Sequence, residues 1–151
     1  MGASAGPGDP APSRGRVLGI DLGTRRVGLA LSDALRIVSS PLDTVPMRSE
    51  PDLVARLARL CREKDVALAV IGLPVSADGS EGPLCERARR VRQKLVDAGI
   101  PATLQDESWS SREAEDVLRQ TGKTRRSSKE KVDAIAASII LREFLAAASP
   151  S

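Results

Sequence analysis

Residues 16–33 read RVLGIDLGTRRVGLALSD, and the fold turns on how this stretch is paired. Arg16 to Asp21 is a short apolar run, and Val27 to Leu31 is a second, separated by the turn Gly23-Thr24-Arg25-Arg26 at hairpin distance. Two antiparallel strands are the economical reading. A third extended stretch, Ile37 to Val45, has Pro41 within it and Pro46 just after it. It therefore reads as an edge or irregular strand that completes a three-stranded meander.

Downstream the period changes. Leu53, Leu57 and Leu60 share one helical face, and Val66 to Leu73 (VALAVIGL) is a continuous apolar run suited to a buried strand. Leu84, Ala88, Val91 and Leu95 form a second helical stripe ending at Gly99, and Ala102 to Asp106 forms a fifth short strand before Glu107. Ser110 with Glu113 makes a capping box for a helix through about Arg119, and Ser127 with Glu130 makes another for a final helix running to about Ala147. Val132, Ala136, Ile140 and Phe144 recur every four positions in that last helix, whose small alanines allow close packing on a sheet. The predicted class is α/β: a mixed five-stranded sheet flanked by helices.

A chain of 151 residues is long enough for one domain, expected at 16–148 behind a disordered tail at 1–15. The tail lacks an apolar run, so neither a signal peptide nor a membrane span is expected, and a cytoplasmic location follows. Trp109 and Phe144 are the only aromatics, so the core must be aliphatic and base stacking cannot be a major binding device. The absence of histidine removes imidazole bases, Ser/His and Cys/His nucleophiles and most zinc sites. Cys61 and Cys85 lack metal spacing and read as reduced core thiols.

The net charge is only +3, but the cations are clustered. Arg87, Arg89, Arg90, Arg92 and Lys94 crowd one segment; Arg119, Lys123, Arg125, Arg126, Lys129 and Lys131 crowd another. Either cluster alone reads as a solvated face, whereas two together point to a polyanion partner.

Several acids stand at places where chemistry could gather them. Asp21 ends an apolar strand, where a buried carboxylate needs a partner: a metal, or the amides of the Gly23 to Arg26 turn. Asp133 lies among apolar or small neighbours on the last helix, where it could equally complement the helix dipole. Glu107 follows the fifth strand, with Asp106 as its competitor and helix capping as the alternative role, and Asp78 in the loop after the fourth strand is a further candidate. Arg26 could meet a phosphate or these acids, or pair with Asp33 across the hairpin. The Gly72-Leu73-Pro74 turn and Gly79 could bring amides to a phosphate or simply make a tight turn.

The element order is similar to the ribonuclease H fold. GIDLGTRRVGLALSD (19–33), VIGLPVSADGS (70–80), QDESWSS (105–111) and KVDAIAASIIL (131–141) together resemble the YqgF family, covering nearly all the chain after Arg16. The resemblance implies that Asp21, Glu107 and Asp133 are catalytic and metal-binding, holding two divalent ions, Mg2+ or Mn2+, that hydrolyse a phosphodiester to leave a 5′-phosphate. It also implies a nucleic-acid partner met by Arg26, Arg112, Lys123, Arg125, Arg126 and Lys129. The family points to two substrates, the 5′ leader of precursor 16S rRNA and branched DNA junctions, acted on by a monomer or a homodimer; two symmetric junction cuts would need the dimer. A non-catalytic binding module is a third reading, opposed by the presence of all three acids. The motif at 105–111 departs from the family: Ser108 stands where an arginine is usual, and Arg112 is the expected substitute. Trp109 could stack on a base or act as a packing staple. The Asp-Leu-Gly-Thr turn is also similar to the phosphate-cradling turns of sugar kinases and actin-like ATPases, but those need a second domain for which this chain has no length.

Overall fold

The computed structural model describes residues 14–74, 81–106 and 125–148. Strands β1 (Arg16–Leu22) and β2 (Arg26–Ser32) pair antiparallel, with Leu18 opposite Leu31 and Asp21 opposite Gly28. The turn between them closes through the Gly23 amide, which donates to the Arg26 carbonyl at 2.9 Å. Strand β3 (Ser39–Pro46) pairs antiparallel with β2 and is the sheet edge. Its register slips between Leu29 and Ala30, where Asp43 and then Pro41 face β2 and leave Leu42 as the extra residue. That is the irregular edge the prolines predict.

Helix α1 (Glu50–Glu63) starts where the Ser49 hydroxyl accepts the Asp52 amide at 3.2 Å. Strand β4 (Val66–Leu73) pairs parallel with β1, helix α2 (Pro83–Asp97) follows, and strand β5 (Ala102–Asp106) pairs parallel with β4. Gly99 takes φ +89° beyond α2, and its amide and that of Ile100 donate to the Val96 and Leu95 carbonyls. A side chain would strain that left-handed stop, so the glycine ends the helix. Helix α3 (Arg125–Ala148) closes the described chain, and the sheet order is β3-β2-β1-β4-β5.

Alternation along β1 divides the core. Leu18, Ile20 and Leu22 pack with Leu53, Leu57 and Cys61 of α1 and with Cys85, Ala88, Val91 and Leu95 of α2. Val17 points the other way, with Leu68 and Val70 of β4, into Ala137, Ile140, Leu141 and Leu145 of α3. The core is aliphatic, as the composition requires, and both cysteines are buried free thiols.

Three helix expectations are corrected. On α2 the buried stripe begins at Cys85; Leu84, one residue after the Pro83 start, sits half-buried at the rim. On α3 the sheet-facing stripe is Ala137, Ile140, Leu141 and Leu145, with Phe144 only partly buried, so the predicted stripe is rotated from the one used. Ser127, predicted to cap α3, lies inside a helix already formed at Arg125. The helix predicted from Ser110 to Arg119 falls outside the described residues.

Candidate active site

Asp21 is the next-to-last residue of β1 and is only 8% exposed. By strand alternation it shares the face of Val17 and Gly19, the α3 side of the sheet. Two glycines let α3 lie directly on that side. A Cβ on Gly19 would stand 2.8 Å from the Ala137 carbonyl oxygen, and one on Gly28 would collide with the Asp133 carbonyl. Two residues along β1 from Gly19 is about 6.6 Å, and one turn back along α3 from Ala137 is about 6 Å. The same two steps end at Asp21 and at Asp133, so the register brings these acids to one place on one face.

Arg26 completes the described part of the site. It starts β2, two residues before Gly28 and thus on the same face, and its Nε donates to Asp133 Oδ2 at 2.9 Å. Of the alternatives open for Arg26, the hairpin pair with Asp33 is not the one used. Asp33 instead accepts the Ile37 and Val38 amides at 2.7 and 2.9 Å, and these bonds, Val38 first, hold its carboxyl below the usual range. Helix-dipole complementarity at Asp133 is also overturned, because α3 begins at Arg125 and Asp133 lies beyond the first two turns. The dipole effect fades within the first turn.

The third acid is approached by the chain but not described. β5 ends at Asp106 opposite Leu73, at the same sheet end as Asp21, and Glu107 is the next residue. Ala102 and Leu104 of β5 pack on the α1/α2 side, so Asp106 alternates towards that side, away from Asp21 and Asp133. Among the described residues no three acids or cysteines gather as a metal site. Glu107, Asp78, Ser108, Trp109, Arg112 and Lys123 lie outside the described residues, while Arg125, Arg126 and Lys129 fall on the first turns of α3, upstream of Asp133.

The basic cluster on α2 is not part of this face. Arg89 donates to Glu81, Arg90 and Lys94 to Glu50, and Arg92 to the Ala102 carbonyl, all on the layer that α1 and α2 form behind the sheet. Arg87, Arg90 and Lys94 share the single carboxylate of Glu50, so this cluster stays net positive, on the side of the sheet away from Asp21 and Asp133. Gly28 is the residue that sequence reasoning passed over. A glycine inside a strand signals close backbone approach, and that signal was present.

The sequence profile of the RuvX family, described as Holliday junction resolvase, matches residues 15–147. This chain belongs to the RuvX family, also called YqgF. Family relatives named "Putative pre-16S rRNA nuclease" include one from Anaeromyxobacter dehalogenans (strain 2CP-1), 41% identical over 136 residues, covering 89% of this chain and 99% of the relative. Another, from Syntrophus aciditrophicus (strain SB), is 41% identical over 135 residues, covering 89% and 90%. Among solved structures, T. thermophilus RuvC in complex with Holliday junction substrate superposes with a TM-score of 0.53 at 15% identity, over 88% of this chain and 94% of that one. At that identity the likeness is one of fold, and the fold is RuvC-like and ribonuclease H-like, as expected. Among the described residues, no helix is long and apolar enough to cross a membrane.

Proposed function

We propose that this chain is a metal-dependent endonuclease that trims the 5′ end of precursor 16S rRNA during ribosome assembly in the cytoplasm. The observation that carries the reading is the near full-length identity, 41% over 136 residues, to relatives bearing the pre-16S rRNA nuclease name. The chemistry is supported by Asp21 and Asp133 sharing one face of the sheet, with a guanidinium drawn to the second.

The donor set fits hard divalent cations. Asp21, Asp133 and Glu107 offer only carboxylate oxygen, the chain has no histidine, and both cysteines are buried away among core aliphatics. When bound, Mg2+ or Mn2+ would activate a water and stabilise the leaving oxygen of the phosphodiester. The chain's own part is to hold the carboxylates at a fixed spacing, through the backbone contact at Gly28. Arg26 and the cations Arg112, Lys123, Arg125, Arg126 and Lys129 would meet the phosphates of the substrate.

A four-way DNA junction is the competing substrate, because the matching family profile is described as Holliday junction resolvase. One experiment tests both: labelled 5′ leader RNA and a labelled four-way junction are incubated with wild type and Asp21→Asn, with Mn2+ or with chelator. Cleavage of the leader alone, abolished by chelator and slowed at least about 100-fold in Asp21→Asn, is expected. Cutting of the junction alone would transfer the reading to branched DNA, and binding of either without cutting would make the chain a binding module.

A further inference from the structure

Arg26 is held unusually firmly for a residue beside a turn. Its carbonyl accepts the Gly23 amide at 2.9 Å, the neighbouring Arg25 carbonyl accepts the Met47 amide at 2.9 Å, and its own position pairs with Pro46 of β3. The guanidinium is therefore delivered from a rigid base to Asp133, 107 residues away, where Nε and Oδ2 lie 2.9 Å apart. Both side chains remain partly open to solvent, at 33% and 24%, so an incoming ion can reach the carboxylate that Arg26 holds.

We propose that Arg26 is a built-in counter-cation that occupies Asp133 until a divalent ion arrives, so that guanidinium and metal compete for the same carboxylate. The proposal rests on the metal-dependent reading above. Two buried or half-buried carboxylates on one face repel one another and need a cation. Arg26 supplies that charge in the metal-free protein and keeps Asp133 turned towards the site. Asp21 and Asp133 would help hold a divalent ion, whose charge would oppose the nearby guanidinium, so that the Arg26 side chain would be released to meet a phosphate oxygen of the substrate. Arg26 is thus a positioning residue that acts through Asp133 and sets metal affinity, rather than a clamp that only ties α3 to β2.

The sign of one measurement separates these roles. Mn2+ is titrated by calorimetry into metal-free wild type, Arg26→Gln, Arg26→Lys and Asp21→Asn, without nucleic acid. Competition predicts that Arg26→Gln binds Mn2+ about two- to fivefold more tightly than wild type, the scale of a partly exposed ion pair. Arg26→Lys, which keeps the charge, should gain less. Equal or weaker binding in Arg26→Gln would overturn the proposal, since a clamp that merely orders Asp133 loses affinity when cut. Should Arg26→Gln fail to fold, wild type suffices: by NMR, saturating Mg2+ should speed exchange of the Arg26 Nε proton with water, and an unchanged rate would overturn the proposal. Asp21→Asn tests the underlying reading separately, because undiminished Mn2+ binding there would remove the metal site itself whatever Arg26 does.

Discussion

Val17 donates its amide to the Ser32 hydroxyl at 2.8 Å, and Ser32 donates onward to the Asp33 carbonyl at 2.9 Å. The bond is needed because the β1–β4 register slips between Arg16 and Val17, and the β1–β2 ladder begins only at Leu18. Ser32 is buried for that purpose, and its place in the first motif is structural. No pattern in the sequence announces a ladder slip, so this role could not be read beforehand, whereas Gly28 could. Its missing side chain is where the Asp133 carbonyl rests. Gly28→Ala should therefore lift α3 from β2, because the obstructing atom is backbone and cannot rotate away. We expect a loss of about 1–3 kcal/mol, seen as a lower urea midpoint, together with a fall in leader cleavage at temperatures where the variant is still folded. Full activity in folded Gly28→Ala would mean that the acid spacing does not depend on this contact.

At the level of elements, α1 and α2 are joined by charge as well as by apolar packing. Glu50, the first residue of α1, accepts from Arg90 at 2.7 Å and Lys94 at 3.0 Å, and these bonds hold its carboxyl down at about 2. The folded value lies below the ordinary 4.5, so the stabilisation is complete above about pH 4.5 and fades as pH falls through 2. Both cations are well exposed, which limits the effect of Glu50→Gln to about 0.5–1 kcal/mol at pH 7. Urea midpoints of the two proteins should differ there and nearly coincide at pH 2; a constant difference across that range would show that Glu50 acts by packing alone. The partners of α2 also explain what the sequence left ambiguous. A run of arginines looks the same whether it faces RNA or a glutamate 40 positions away, as for Arg90 and Glu50. Strands β4 and β5 were legible to the residue, β4 as a continuous apolar run and β5 as the short stretch between the Gly99-Ile100-Pro101 break and Glu107. Helix phase was less so: α3 is alanine-rich and apolar on several sides, and its sequence marks no single face.

At the scale of the molecule, the described sheet is two-sided. One side of the sheet carries α1 and α2, where Arg89 and Arg90 pair with Glu81 and Glu50; the other carries α3, Asp21 and Asp133. A polyanion engaged at the acids should therefore feel the charges of α3 and not those of α2. Lys129→Ala or Arg126→Ala is expected to weaken leader RNA binding and to reduce the slope of log affinity against log salt by up to about one each. Arg89→Ala should leave the slope unchanged, and filter binding at several salt concentrations reads both; a lowered slope in Arg89→Ala would place RNA on the α2 side as well. The meander and the crossovers could be placed from sequence alone. Which cations pair with which acids could not, since those ion pairs form between distant segments.

The glycine contacts between the sheet and α3 bear on tolerance to change. Between the sheet and the α1/α2 layer, aliphatic side chains keep the layers apart, and exchanging an isoleucine for a valine alters their separation a little. Over Gly28 the separation is set by main-chain atoms meeting main-chain atoms, and over Gly19 by the Ala137 carbonyl together with the Leu141 Cβ. The gap between the strand that carries Asp21 and the helix that carries Asp133 is therefore gauged by parts common to nearly every amino acid, and the aliphatic interior can drift in composition while that gauge stays the same.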